Sequence, residues 1–142
     1  MKRIGITLLF SFFISACSQG VRDIADRTSL PCEESPNCVS TEDEREQHHL
    51  IAFNLKNNAS IDEIEQVALQ MKGSKTATKE ENYIRIEYTS SFLRFVDDLE
   101  LKVNGSRLIV RSESRLGYSD FGVNRERAEQ LRDMLHSAQL LK

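Results

Sequence analysis

The chain lacks most of the short motifs that announce a chemistry. Its six glycines never fall in a GxGxxG or Walker spacing, so it has no phosphate-cradling loop of either kind. No GxSxG stretch is present, which removes the nucleophile elbow of the α/β-hydrolases. Positive charge is scarce: 19 Lys and Arg stand against 22 Asp and Glu, a net charge of −3. A nucleic-acid partner needs a basic face, so that class is excluded. Tryptophan is absent, and no proline follows Pro36. The apolar run Ile4–Ile14 is too short to span a bilayer as a helix.

That short run has a different use. Lys2 and Arg3 precede it, and Ile14-Ser15-Ala16-Cys17 follows. A positive start, an apolar middle and small residues at the end make a signal segment over residues 1–16. The last four residues resemble the bacterial lipobox, in which the cysteine is acylated and becomes the first residue. In that pattern Asp after the cysteine retains the protein in the inner membrane. Ser18 stands there, so the resemblance implies the outer membrane, periplasmic face, with the lipid on Cys17 as the membrane contact. A plain secretory signal beside an unrelated cysteine is the alternative. Removing residues 1–16 leaves 126 residues, enough for one domain, and takes away Lys2 and Arg3, so −3 becomes −5. Residues 17–29 read as a polar tether and residues 30–142 as a single domain.

Two cysteines remain, Cys32 and Cys38, with Pro31 and Pro36 beside them. In an oxidising compartment such a pair reads as a disulfide. The alternative is a metal site shared with His48 and His49, although the usual zinc spacing is missing.

The best-patterned stretch is Val96–Ser114. Asn104-Gly105 is a two-residue hairpin signal, because a type I′ turn needs positive φ at both central residues. With those two as the loop, Leu101 faces Leu108, Leu99 faces Val110, and Asp98 faces Arg111. One face is then apolar, and the other is charged and partly wet. Asp97 falls on the apolar face. Either a bulge turns it outward, or it joins a buried cluster with Ser112 and Ser114 that reaches an arginine.

Tyr83–Thr89 alternates as a half-buried strand. His49–Leu55 is a short apolar run that fits an edge strand, and Gly73–Asn82 reads as a polar link. Ser60–Lys72 reads as a helix. Ser60 and Glu63 form a capping box, apolar residues recur at helical spacing, and Gly73 offers a left-handed cap. Asn124 is placed to cap a final helix whose stripe is Ala128, Leu131, Met134, Leu135 and Ala138. The expected fold is α+β: an antiparallel sheet of three to four strands with a central Asn-Gly hairpin, covered on one face by two helices.

Three stretches carry a family resemblance. They are Leu30-Pro31-Cys32 with Ser35-Pro36-Asn37-Cys38-Val39-Ser40; Phe95-Val96-Asp97-Asp98-Leu99-Glu100; and the run from Arg111-Ser112 through Ser114-Arg115, Gly117-Tyr118-Ser119-Asp120 and Gly122-Val123-Asn124-Arg125. Over about Leu30 to Leu135 the chain resembles the bacterial and plastid proteins grouped as domain of unknown function 1499. That resemblance implies no established activity.

The candidate site is the polar group at the open end of the hairpin: Asp97, Arg111, Ser112, Ser114, Arg115, Tyr118, Asp120, Asn124 and Arg125, with Asp98 beside them. Three chemistries compete. The arginines can clamp a carboxylate or phosphate, as in a module for an envelope ligand or protein partner. They can instead be a buried ion-pair and cap network, Arg115 pairing with Asp97 or Asp120. A hydrolase would need Ser112, Ser114 or Ser119 as nucleophile and His49 as base. Asp97 and Asp98 are a poor acid–base dyad, because strand neighbours point to opposite faces. No catalytic residue, metal or cofactor is assigned, and a binding or scaffold module is the favoured reading.

Overall fold

The computed structural model describes residues 25–57 and 59–142. In chain order the elements are β1 (Cys38–Ser40), β2 (Phe53–Asn54), α1 (Ile61–Ala68), β3 (Ser74–Lys79), β4 (Tyr83–Thr89), β5 (Val96–Asn104), β6 (Arg107–Ser114) and α2 (Val123–Ser137). One antiparallel sheet runs in the order β1-β6-β5-β4-β3, with β2 also paired to β6. The fold is mixed, as expected, but the sheet has six strands rather than three or four. The additional strands are the ones with least apolar signal. β3 (SKTATK) was expected to be a polar link; it is an edge strand held by its ladder to β4, with a register shift between Thr76 and Thr78. Lysines on such an edge discourage pairing with another chain. β1 lies inside the cysteine segment, and only Phe53–Asn54 of the apolar run His49–Leu55 forms a strand.

The hairpin turn differs from the expected one. Asn104 pairs with Arg107, so the two loop residues are Gly105 and Ser106. Gly105 has φ +59 and Ser106 has no positive φ, the pattern of a type II′ turn with glycine first. The register therefore slides by two: Leu101 faces Val110 and Leu99 faces Ser112. A slide of two keeps every side chain on its face. Leu99, Leu101, Leu108 and Val110 still share the helix-covered face, all buried. Ile84, Ile86, the Ile61, Ile64 and Val67 side of α1, and Ala128, Leu131 and Leu135 of α2 complete that core. Ala138 is exposed rather than part of the stripe.

The Ser60–Glu63 capping box is present, but α1 ends at Ala68 instead of Lys72. The Ser74 hydroxyl donates to the carbonyls of Leu69 and Met71 in the turns that follow. Gly73 (φ +83) does not cap the helix. It lies against β4, where a Cβ would stand 2.6 Å from the Thr89 carbonyl oxygen.

Cys32 and Cys38 form a disulfide, and both are buried. Neither sulfur is then available to a metal, and among the described residues no three His, Cys, Asp or Glu side chains gather as a metal site. Replacing both cysteines by serine should lower stability by about 2 kcal/mol in chemical denaturation, from lost closure of a short loop. Among the described residues no helix is long and apolar enough to cross a membrane.

Candidate functional site

The slide in register decides the chemistry of the second face of the sheet. Asp98 no longer opposes Arg111; it lies across from Glu113 and beside Glu87, three acids in a row. Cations must reach them from elsewhere. Arg85 of β4 donates to Asp98 at 3.0 Å, and Arg115 donates through Nε and Nη2, both at 2.8 Å. Arg115 also pairs with Glu87. Arg111 donates to Glu113 and to the Leu30 carbonyl. Arg27 reaches Glu100 and Glu113, and the Tyr83 hydroxyl donates to Glu100 at 2.9 Å. Four guanidiniums thus meet four carboxylates, and the charges cancel.

This face was expected to be partly wet, and β4 half-buried. Instead Tyr83, Arg85, Asp98, Glu100 and Arg111 are all buried. Closure comes from the ion pairs themselves and from the chain around Asp26–Leu30. There Arg27 and Leu30 contact the sheet and Asp26 pairs with Lys102. Burial alone would raise the Asp98 pKa, but the bonds from Arg115 and Arg85 outweigh it and hold the carboxyl below the usual carboxylate range. Hydrogen bonding to Asp98 in turn raises Arg115. Burial, then the Glu100 charge, pushes the Tyr83 hydroxyl up.

A second cluster sits on the helix-covered side. Asp97 faces Ser114, not Ser112, and it is not turned out by a bulge. It pairs with Arg127 at 2.6 Å. Arg127 also donates to Asn124 Oδ1 at 2.7 Å and to Ser112 Oγ at 3.1 Å, and its guanidinium lies 4.8 Å from the Tyr88 ring centre. Asn124 is the hub. Its Oδ1 accepts from Ser112 at 2.7 Å; its Nδ2 faces the Asn37 carbonyl, Ser114 Oγ and Asp120 Oδ2 at 2.7–3.0 Å. Asn124 lies within α2 and is not its cap. The cap position is Gly122, and the Asp120 carboxylate accepts from the backbone N–H groups of Gly122 and Asn124. Asn37, next to Cys38, donates to the carbonyl of Gly117 at 2.9 Å. One polar knot therefore ties the disulfide loop, β6, the 115–122 loop and α2.

The candidates divide accordingly. Asp97, Ser112, Ser114, Asp120 and Asn124 meet in the knot. Arg111 and Arg115 belong to the opposite face of the sheet, and Arg115 pairs with Asp98 and Glu87 rather than with Asp97 or Asp120. Arg125 donates to the carbonyls of Gln47 and His49. Tyr118 is exposed. Arg127 was absent from the candidate set, although it follows Asn124 by three, the spacing that puts both on one helix side.

Among the described residues no nucleophile–base pair assembles. His49 Nδ1 donates to the Asp43 carbonyl, and buried His48 donates to the Cys38 carbonyl. Among the described residues no histidine nitrogen hydrogen-bonds a serine hydroxyl. Ser112 and Ser114 are bound to Asn124, and Ser119 accepts from the Phe121 N–H.

Above the knot, the 90–95 and 115–122 loops end at the same edge of the molecule. A cleft of about 340 Å³ opens there between the end of α1 and the start of α2, walled by Met71, Tyr88, Val123 and Arg127.

No curated protein and no solved structure matches the chain. A family model described as a protein of unknown function (DUF1499) matches residues 30–135, which takes in the disulfide loop, both polar clusters apart from Arg27, and most of α2. The chain belongs to the DUF1499 family.

Proposed function

We propose that this protein is a lipoprotein anchored through Cys17 in the outer membrane, facing the periplasm, and that its domain is a non-catalytic binding or scaffold module. Residues 1–24 lie outside the described residues, so the anchor rests on the signal segment and the lipobox resemblance. The disulfide fits an oxidising compartment.

The observation that carries the module reading is the inward pairing of the arginines in the two polar clusters. Arg111, Arg115 and Arg127 spend their donors on carboxylates, hydroxyls and carbonyls of the same chain. A buried network of this kind braces a surface; an anion clamp needs forks that face solvent. The braced surface is the end of the molecule formed by the 90–95 and 115–122 loops.

The anchor is tested by labelling cells with an acyl-chain analogue and separating the membranes. The native chain should carry label and appear in the outer-membrane fraction. Cys17→Ser should lose the label, keep the leader as extra mass and leave that fraction. A native chain without label would end the anchor reading.

A further inference from the structure

We infer that the apolar end of this domain is a self-association surface, and that its occupant is the same end of a second copy of the chain. The inference deepens the binding-module reading and rests on it. Phe92, Leu93 and Phe95 project from one loop, and Leu116, Tyr118, Phe121 and Val123 from the other and the start of α2. Phe92 is 91% exposed and Phe121 95%. Seven large apolar side chains at one end are more than a soluble monomer ordinarily leaves open.

The area suits a dimer. At about 200 Å² for a fully exposed side chain of this size, the seven exposures amount to roughly 900 Å². A stable interface needs about 800 Å² per partner. A two-fold interface sets like against like, so a cluster of one charge would repel itself. Here the charges are few and mixed: Arg94 in the 90–95 loop, and in the other loop Arg115, which pairs with Glu87 and Asp98, and Asp120, which accepts from the Gly122 and Asn124 N–H groups.

The loops are held ready for contact. Each turns on a non-glycine residue in the left-handed region, Arg94 at φ +57 and Phe121 at φ +55. Such backbone is costly for bulky side chains and persists where the surroundings impose it. The knot around Asn124 is that surrounding for Phe121. For Arg94 it is Ser90, whose hydroxyl accepts from the N–H of the next residue, Phe95, at 2.9 Å. A surface ordered before contact loses less entropy on association.

The route to the anchor points the same way. Asp26 binds Lys102, towards the hairpin-turn end of the sheet, and Arg27 beside it spans Glu100 and Glu113. From Lys102 back to Val96 is about 20 Å of strand, and the loops extend further. The eight residue steps from Cys17 to Ala25 reach about 28 Å fully stretched. An apolar end pressed on the anchoring bilayer would need that tether almost fully drawn out. Two copies meeting end to end along the membrane need no such stretch, and anchoring raises their effective concentration.

The test is sedimentation of the full chain, extracted from its envelope in detergent, across a concentration series. The native chain should be a dimer, and Phe92→Ser/Phe121→Ser should raise the dissociation constant about a hundredfold, with an unchanged Tm when both are melted at concentrations where they are monomers. If the double variant melts lower, Leu93→Glu replaces it, since two like charges would then meet across the axis. A native monomer overturns the proposal, as does a dimer that these changes leave intact. For a native monomer, quenching of a fluorophore at Phe121→Cys by brominated lipid would assign the end to the bilayer instead. Sedimentation does not depend on acylation, so an unlabelled Cys17 and an absent dimer are separate results.

Discussion

Asp98→Ala is expected to destabilise the domain by about 3–5 kcal/mol, the cost of removing one partner from a buried ion pair. Asp98 is 1% exposed and receives two arginines, Arg85 from the next strand and Arg115 from beyond the end of β6. Without it Glu87 is left between two guanidiniums, and Arg85, 1% exposed, cannot reach water. Asp98→Asn should recover only part of the loss, because it restores shape without charge. Urea denaturation at neutral pH measures both. The difference should also depend on pH with a definite sign. The folded-state pKa of Asp98 is depressed. Its contribution is therefore complete above the unfolded carboxylate pKa of about 4 and is lost as pH falls through the lower folded value. The stabilities of native protein and Asp98→Ala should converge only in strong acid. A gap under about 1 kcal/mol at pH 7, the range of an exposed pair, would mean that this ladder is a solvated surface.

Much of this architecture was legible because it follows from period. Leu99, Leu101, Leu108 and Val110 alternate over two runs, and period two survives a register error of two. The faces were right while every opposed pair was wrong. The turn type was ambiguous because Asn104-Gly105 supports type I′, whereas Gly105-Ser106 supports type II′, from the same letters. That ambiguity carried the greatest consequence. Pairing Asp98 with Arg111 suggests an ordinary wet ladder; pairing it with Glu113 forces a buried network fed by Arg27, Arg85 and Arg115. β3 was illegible for the opposite reason. An edge strand sustained by backbone hydrogen bonds and by Thr76 and Lys79 reaching Glu65 needs no apolar alternation.

The candidate site was legible as a cluster and not as a function. Asp97, Ser112, Ser114, Asp120 and Asn124 do converge, while Arg111, Arg115, Tyr118 and Arg125 lie elsewhere, and the reading of Asp97 as part of a polar group with Ser112 and Ser114 anticipates the knot. Its arginine was misassigned. Arg115 is one step beyond a strand with charged neighbours, so it attracts notice, while Arg127 sits inside a helix rich in exposed charge. Only its three-residue spacing from Asn124 marks it as inward. The exposed end had no sequence signal of its own, because Phe92, Leu93, Phe95 and Phe121 look like core residues until the loops that carry them are placed.

The knot itself gives the second large effect. Asn124→Ala should cost about 3 kcal/mol, since it removes at once the bonds to the Asn37 carbonyl, the Ser112 hydroxyl and the Arg127 guanidinium, each buried bond being worth about 1 kcal/mol net. Asn124→Asp separates shape from hydrogen bonding. It keeps an acceptor for Ser112 and Arg127, but it loses the donor to Asn37 and sets a carboxylate where Nδ2 stands 2.7 Å from Asp120. It should be destabilised nearly as much as the alanine variant despite its size. Arg125→Ala removes a partly exposed bracket one residue away and should cost under about 1 kcal/mol. Hydrogen exchange then separates a hub from a bystander. In Asn124→Ala exchange should accelerate more for the amides of 116–122 and of the first turn of α2 than for those of β4 and β5, because Asp120 in that loop loses the Asn124 side chain while the hydrophobic core stays packed. Uniformly faster exchange across the sheet would instead make Asn124 a general core residue, and the loops at the apolar end would then owe their order to something other than the knot.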